Sequence, residues 1–128
     1  MVCFEQGIAQ VYDRIGFKEI RGMGTIKYNK LVRDKIPAII EKSGKKAIIE
    51  VLDNKAYKKY LDIKLGEELQ EYLTADSVDE LADLVEVVYA ILKYKGIDIK
   101  DFETIRNRKA EERGIFDKKL LLKEVIEE

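Results

Sequence analysis

Eight carboxylates crowd into residues 67–86, and six of them carry the pattern: Glu67, Glu68 and Glu71, then Glu80, Asp83 and Glu86. Residues three apart on a helix share a face. Glu68 and Glu71 therefore form one pair, and Glu80 and Asp83 another. At about 100° per residue, Glu68 and Glu71 border one edge of the stripe Leu61–Leu65–Leu69. Glu80 borders the Leu84–Ile91 edge of the next stripe, with Asp83 beside it, while Glu67 and Glu86 point further away. Two such pairs at the rim of a helix–helix seam can converge across it, and four carboxylates there repel strongly without a cation. Ligation by Asp and Glu oxygens alone is what Mg²⁺ or Mn²⁺ takes, with water in the remaining positions. The competing reading is a solvated acidic surface, since 25 acids in 128 residues make accidental pairs at this spacing. Two details favour the cation. No lysine or arginine lies between Glu67 and Ala90, and the acids sit at stripe edges, where a solvated face has no reason to gather them.

Composition removes most other chemistries. The chain has no histidine, which excludes Ser-His-Asp and Cys-His triads and most zinc enzymes. Its single cysteine, Cys3, forms neither an intramolecular disulfide nor a thiolate cage. Basic and acidic residues number 24 and 25, so a net charge of −1 gives no general field for gripping a nucleic acid polymer. No run approaches the roughly 18–20 apolar residues that span a membrane. The opening residues lack a basic start followed by an apolar run, and the cytoplasm is the expected compartment.

The elements that must position the acids are helices. RDKIPAIIEKSG predicts a short helix with Pro37 in its first turn and Gly44 at its end. Asn54 is placed to cap a helix over about 55–73, whose apolar residues recur at intervals of three and four. A short connection leads to a second long helix ending near Lys95, with Gly96 after it. Asp98 starts a further helix, which carries Lys109 and Arg113 and stops at Gly114. KAIIEVLD at 46–53 and the tail at about 119–125 are strand candidates that could pair as a small two-stranded antiparallel β ribbon. The expected fold is a mainly α antiparallel helical bundle with that ribbon attached. One helical hairpin buries only one side of each stripe, so a four-helix arrangement is expected, readily completed by a homodimer or homotetramer. Residues 1–22 read as a separate N-terminal arm joined through GMG, and residues 23–128 as the domain.

EELQE followed by ELAD resembles the EExxE…ExxD signature of the MazG-like all-α nucleoside triphosphate pyrophosphohydrolases. YNKLVRDKIPAIIEKSGKK is similar to the branch described as phosphoribosyl-ATP pyrophosphohydrolase-like or house-cleaning enzymes. ETIRNRKAEERGIF resembles the phosphate-binding helix of that superfamily. The likeness covers about residues 26–125. It implies that Glu68, Glu71, Glu80 and Asp83 bind Mg²⁺, with Mn²⁺ as the alternative ion. It makes Glu67 the candidate to orient or deprotonate the attacking water. Asn107, Lys109 and Arg113 match the positions that meet a triphosphate, and Lys30 and Arg33 add phosphate or base contacts. Two departures stand out. Only eight residues separate the two acidic motifs, and Ala110 and Gly114 replace aromatic residues, so base stacking from those positions is not expected. Residues 1–22 resemble the closing segment of a GNAT acetyltransferase without its acetyl-CoA-binding part.

The reaction so implied is nucleoside triphosphate plus water to monophosphate plus pyrophosphate, clearing damaged or unwanted nucleotides. Lys109 and Arg113, four apart, reach one helix face and would hold the departing pyrophosphate. Their bland alternative is surface pairing with Glu103, Glu111 or Glu112. The competing functions are hydrolysis of phosphoribosyl-ATP in histidine biosynthesis and a non-catalytic helical interaction module.

Overall fold

The computed structural model describes residues 24–128. Four helices follow in order: α1 (Ile36–Lys42), α2 (Asn54–Ala75), α3 (Val78–Tyr94) and α4 (Ile99–Arg113). The chain divides into two compact units, one reaching Ile91 and one from Leu92 onwards. The arm expected at 1–22, with Cys3 and the acetyltransferase-like motif, lies outside the described residues.

In the first unit, residues 24–33 run without regular structure into α1. Pro37 stands in the first turn of α1, where its missing N–H leaves no bond unmade. The helix stops at Ser43, and Gly44 follows at φ +88°. The cap of α2 is Asp53 rather than Asn54: its carboxylate accepts the Ala56 N–H at 2.8 Å. An ionised acceptor at a helix N-terminus also meets the positive end of the dipole, which a neutral Asn cannot match. At its other end, Asp76 adopts a left-handed conformation (φ +51°) and its N–H donates to the Tyr72 carbonyl at 2.7 Å. That turn and Ser77 suffice to send the chain back into α3.

The inward residues of the hairpin follow a heptad. The two buried residues of α2 are Leu61 and Glu68, seven apart and therefore on one face. On α3, Glu80 and Val87 are buried with the same separation. Each helix is thus apolar away from the turn and acidic near it. The second unit opens with the end of α3. The Ile97 N–H donates to the Leu92 carbonyl at 2.9 Å around Gly96, whose φ of +73° suits a residue without a side chain. Asp98 then caps α4 through the Lys100 N–H at 3.1 Å, as expected, and Gly114 closes it.

The β ribbon does not form. Among the described residues there is no strand, and both segments, 46–52 and 119–125, are irregular. Ile48 and Val51 are 82% and 92% exposed, and Leu120, Leu121, Leu122 and Val125 are exposed too. Strand preference of β-branched residues is largely a preference for a packed, half-buried surface. A two-stranded ribbon with no such surface is marginal in water.

Candidate functional site

Glu68 on α2 and Glu80 and Asp83 on α3 bring one carboxylate oxygen each to within 4.8 Å of one another. Glu68 and Glu80 are buried, at 5% and 8% exposure, and the Asp83 side chain is at 12%. At such separations like charges repel by about 3.5 kcal/mol per pair at an effective dielectric constant near 20. Burial adds a desolvation cost. An arrangement this unfavourable in isolation suits a positive ion, and its donors are all hard oxygens. Among the described residues there is no imidazole or thiolate to draw a softer metal. The three acids therefore fit Mg²⁺ or Mn²⁺. Glu71, the fourth acid of the expected set, is half-buried one turn beyond Glu68 and outside the 4.8 Å group.

Three cations surround this group. Lys64, one turn before the acids on α2, lies 3.6 Å from both Glu67 and Glu68. Lys30 lies 3.7 Å from Glu67. Arg33 Nη2 donates to Asp83 Oδ1 at 2.7 Å. Lys30 and Arg33, expected at substrate phosphates, thus lie against the acids in the described chain. Both come from the irregular segment before α1 and reach different helices, Lys30 to α2 and Arg33 to α3. Glu67 is a quarter exposed, so water reaches it, and it holds two ammonium groups at ion-pair distance.

Lys64 was not among the expected site residues, although its spacing of three and four from Glu67 and Glu68 is readable in the sequence. The Lys30 and Arg33 contacts had no local signal.

Asn107, Lys109 and Arg113 share α4 in the second unit, and all are exposed. The Asn107 side-chain oxygen accepts from Arg106 Nη2 at 3.1 Å. Arg106 also forks onto Glu103 Oε2 at 2.8 and 2.9 Å. These hydrogen bonds, and then the guanidinium charge, hold the Glu103 carboxyl below its ordinary value, while the arginine is raised. A lowered carboxyl contributes stability that is present above the ordinary carboxylate range. That contribution is lost as pH falls through the lowered folded value. In an NMR pH titration, Arg106→Gln is expected to return Glu103 towards its ordinary value, and an unchanged midpoint would remove Arg106 as the cause. Glu103 is thus taken by Arg106, and of the acids considered for surface pairing Glu112 has the helical spacing to meet Lys109.

A helical hairpin with an acidic cluster near its turn is compatible with the MazG-like all-α pyrophosphohydrolase class that the motifs resemble. Residues 33–110, more than half of the chain, match the phosphoribosyl-ATP pyrophosphohydrolase family, and the chain belongs to it. An uncharacterized protein of Mycolicibacterium smegmatis is 45% identical over 49 residues, which cover 38% of this chain and 50% of the relative. The match thus spans about half the length of that curated relative. No solved structure matches. No helix among the described residues is long and apolar enough to cross a membrane.

Proposed function

We propose that this protein is a Mg²⁺-dependent pyrophosphohydrolase that cleaves nucleoside triphosphates to monophosphate and pyrophosphate. The observation that carries the reading is the convergence of Glu68, Glu80 and Asp83 from two helices, within a chain whose family is a pyrophosphohydrolase family. Glu68, Glu80 and Asp83 would hold the ion, with Glu71 completing the set as substrate enters. When bound, the ion neutralises and polarises phosphate oxygens. Glu67 is partly exposed beside Glu68 and would orient the attacking water and accept its proton. Attack at the α-phosphorus breaks the bond to the bridging oxygen and releases pyrophosphate. Lys109 and Arg113 would hold that leaving group, with Asn107 as a neutral donor, and Lys30 and Arg33 would add phosphate contacts.

The family match supports a second substrate, phosphoribosyl-ATP, on which the same bond is broken. Against it, the sequence offers no separate basic cluster for a second ribose phosphate. House-cleaning of damaged or unwanted nucleotides remains the preferred role. An oligomer, dimeric or tetrameric, is part of the proposal. Only Leu61, Val87 and Leu92 are buried apolar side chains among the described residues. Leu69, Leu73, Leu81 and Val85 on the long helices are exposed. A core this small does not stabilise a lone chain of this length, and a second copy would cover those faces.

The test is pyrophosphate release from a panel of canonical, deoxy and oxidised triphosphates and phosphoribosyl-ATP, with Mg²⁺, Mn²⁺ or EDTA. Metal-dependent release with the monophosphate as co-product is expected, and the best substrate decides between the two roles. A folded, metal-binding protein that releases none from any of them would move the interaction-module reading to first place.

A further inference from the structure

We infer that Arg33 stands in for the divalent cation at Asp83 and transfers to the substrate's phosphates when the ion binds, coupling metal and triphosphate binding through one side chain. The inference rests on the metal-site reading above and adds an order to its events. Arg33 makes its contact at 2.7 Å with an oxygen of an acid from the metal-binding trio. The two partners differ in burial: Asp83 is 12% exposed, whereas the Arg33 side chain is 55% exposed. The guanidinium reaches in from solvent, and withdrawing it opens little packed volume. It also belongs to a segment without helix or strand, so its backbone is not held by a hydrogen-bonded ladder. Lys30, on the same segment, lies against Glu67 on the other helix. The segment therefore supplies positive charge to both walls of the acid cluster.

Arg33 occupies Oδ1 of Asp83, and its positive charge opposes a divalent ion at the same carboxylate. If Arg33 holds Asp83 in about nine molecules of ten, only the remaining tenth is ready for the ion, and the apparent dissociation constant rises about tenfold. A displaced guanidinium is left beside a site that receives a polyphosphate, which it grips as a planar fork. Binding energies linked in this way are reciprocal: the phosphate that draws Arg33 off Asp83 tightens metal binding by the same factor. Metal alone thus binds the resting protein weakly, and metal with triphosphate binds it well.

The test is calorimetric titration of the full chain with Mn²⁺ alone, and then with tripolyphosphate in saturating Mg²⁺. Arg33→Gln is expected to bind Mn²⁺ alone about tenfold more tightly and Mg²⁺–tripolyphosphate about tenfold more weakly than wild type. Arg33→Lys keeps the charge but loses the fork, and should move both affinities in the same directions by about threefold. It serves as the reading if the glutamine variant melts abnormally. Opposite signs are the signature, because general damage to the site would weaken both. Unchanged or weaker Mn²⁺ binding overturns the inference, as does unchanged tripolyphosphate binding. If neither wild type nor variant binds Mn²⁺, the metal-site reading itself fails. If both bind it equally, only the Arg33 coupling fails.

Discussion

Replacing Glu68 by Gln is expected to lower pyrophosphate release by about 100-fold or more and, in EDTA, to raise the melting temperature. The two effects have one cause. Glu68 is 5% exposed and shares its site with two further carboxylates. Its charge is useful only when a cation is present. Without one it is a buried like charge, and the Lys64 ammonium at 3.6 Å offsets part of that cost. Gln keeps the shape and one acceptor oxygen and removes the repulsion, while Lys64 retains Glu67 as a partner at 3.6 Å. The gain should be ~1 kcal/mol, or about 4 °C for a domain of this size. Saturating Mn²⁺ should stabilise wild type and leave the variant nearly unmoved. Melting curves with and without Mn²⁺, run beside the release assay, check both halves. A variant that keeps about a tenth or more of wild-type turnover would remove Glu68 from the ligand set. An interaction module would show the stability gain with no turnover to lose.

Sequence periodicity pointed to four acids, of which Glu68, Glu80 and Asp83 come together while Glu71 stays outside the group. Glu80 and Asp83 are three apart, and Glu68 follows the stripe that Leu61 begins. The start of α4 was legible from Asp98 and the end of α3 from Gly96, since both are governed by the chemistry of one or two residues. What escaped was non-local or depended on packing. The Arg33–Asp83 bond joins residues 50 apart, and spacing says nothing across an irregular segment. Ile48, Ile49 and Val51 look like a strand by type, but they lie exposed, so the packing behind that preference is missing. At α2 the neighbours Asp53 and Asn54 are both good caps, and the charged one took the position. Helix geometry alone left Glu67 and Glu86 as similar outlying acids, and only the family resemblance singled out Glu67. The structure separates them: Glu67 holds two lysines, and Glu86 is exposed.

Leu61→Ala should be the most damaging single change to stability, and its consequences should reach the acids. Leu61 is 2% exposed, the most deeply buried apolar side chain among the described residues. Removing a buried leucine to its β-carbon costs about 3 kcal/mol where neighbours do not collapse into the space, which lowers the melting temperature by about 10 °C. Glu68 lies two turns along the same face of α2, so the packing that holds Leu61 also sets how closely Glu68 approaches α3. Repulsion among the acids works against closure of the hairpin near its turn, and burial of Leu61 favours the packed state. With Leu61 shortened, metal-free protein should open more easily at the acidic end. A cation at 100 times its dissociation constant restores about 2.7 kcal/mol, so Mn²⁺ should recover most of the lost stability if the ion and the leucine close the same seam. Thermal melts of Leu61→Ala with EDTA and with Mn²⁺ measure this directly. A variant that melts within about 2 °C of wild type would show that the hairpin seam is not the core that matters. A large loss that Mn²⁺ does not repair would separate the apolar seam from the acid cluster.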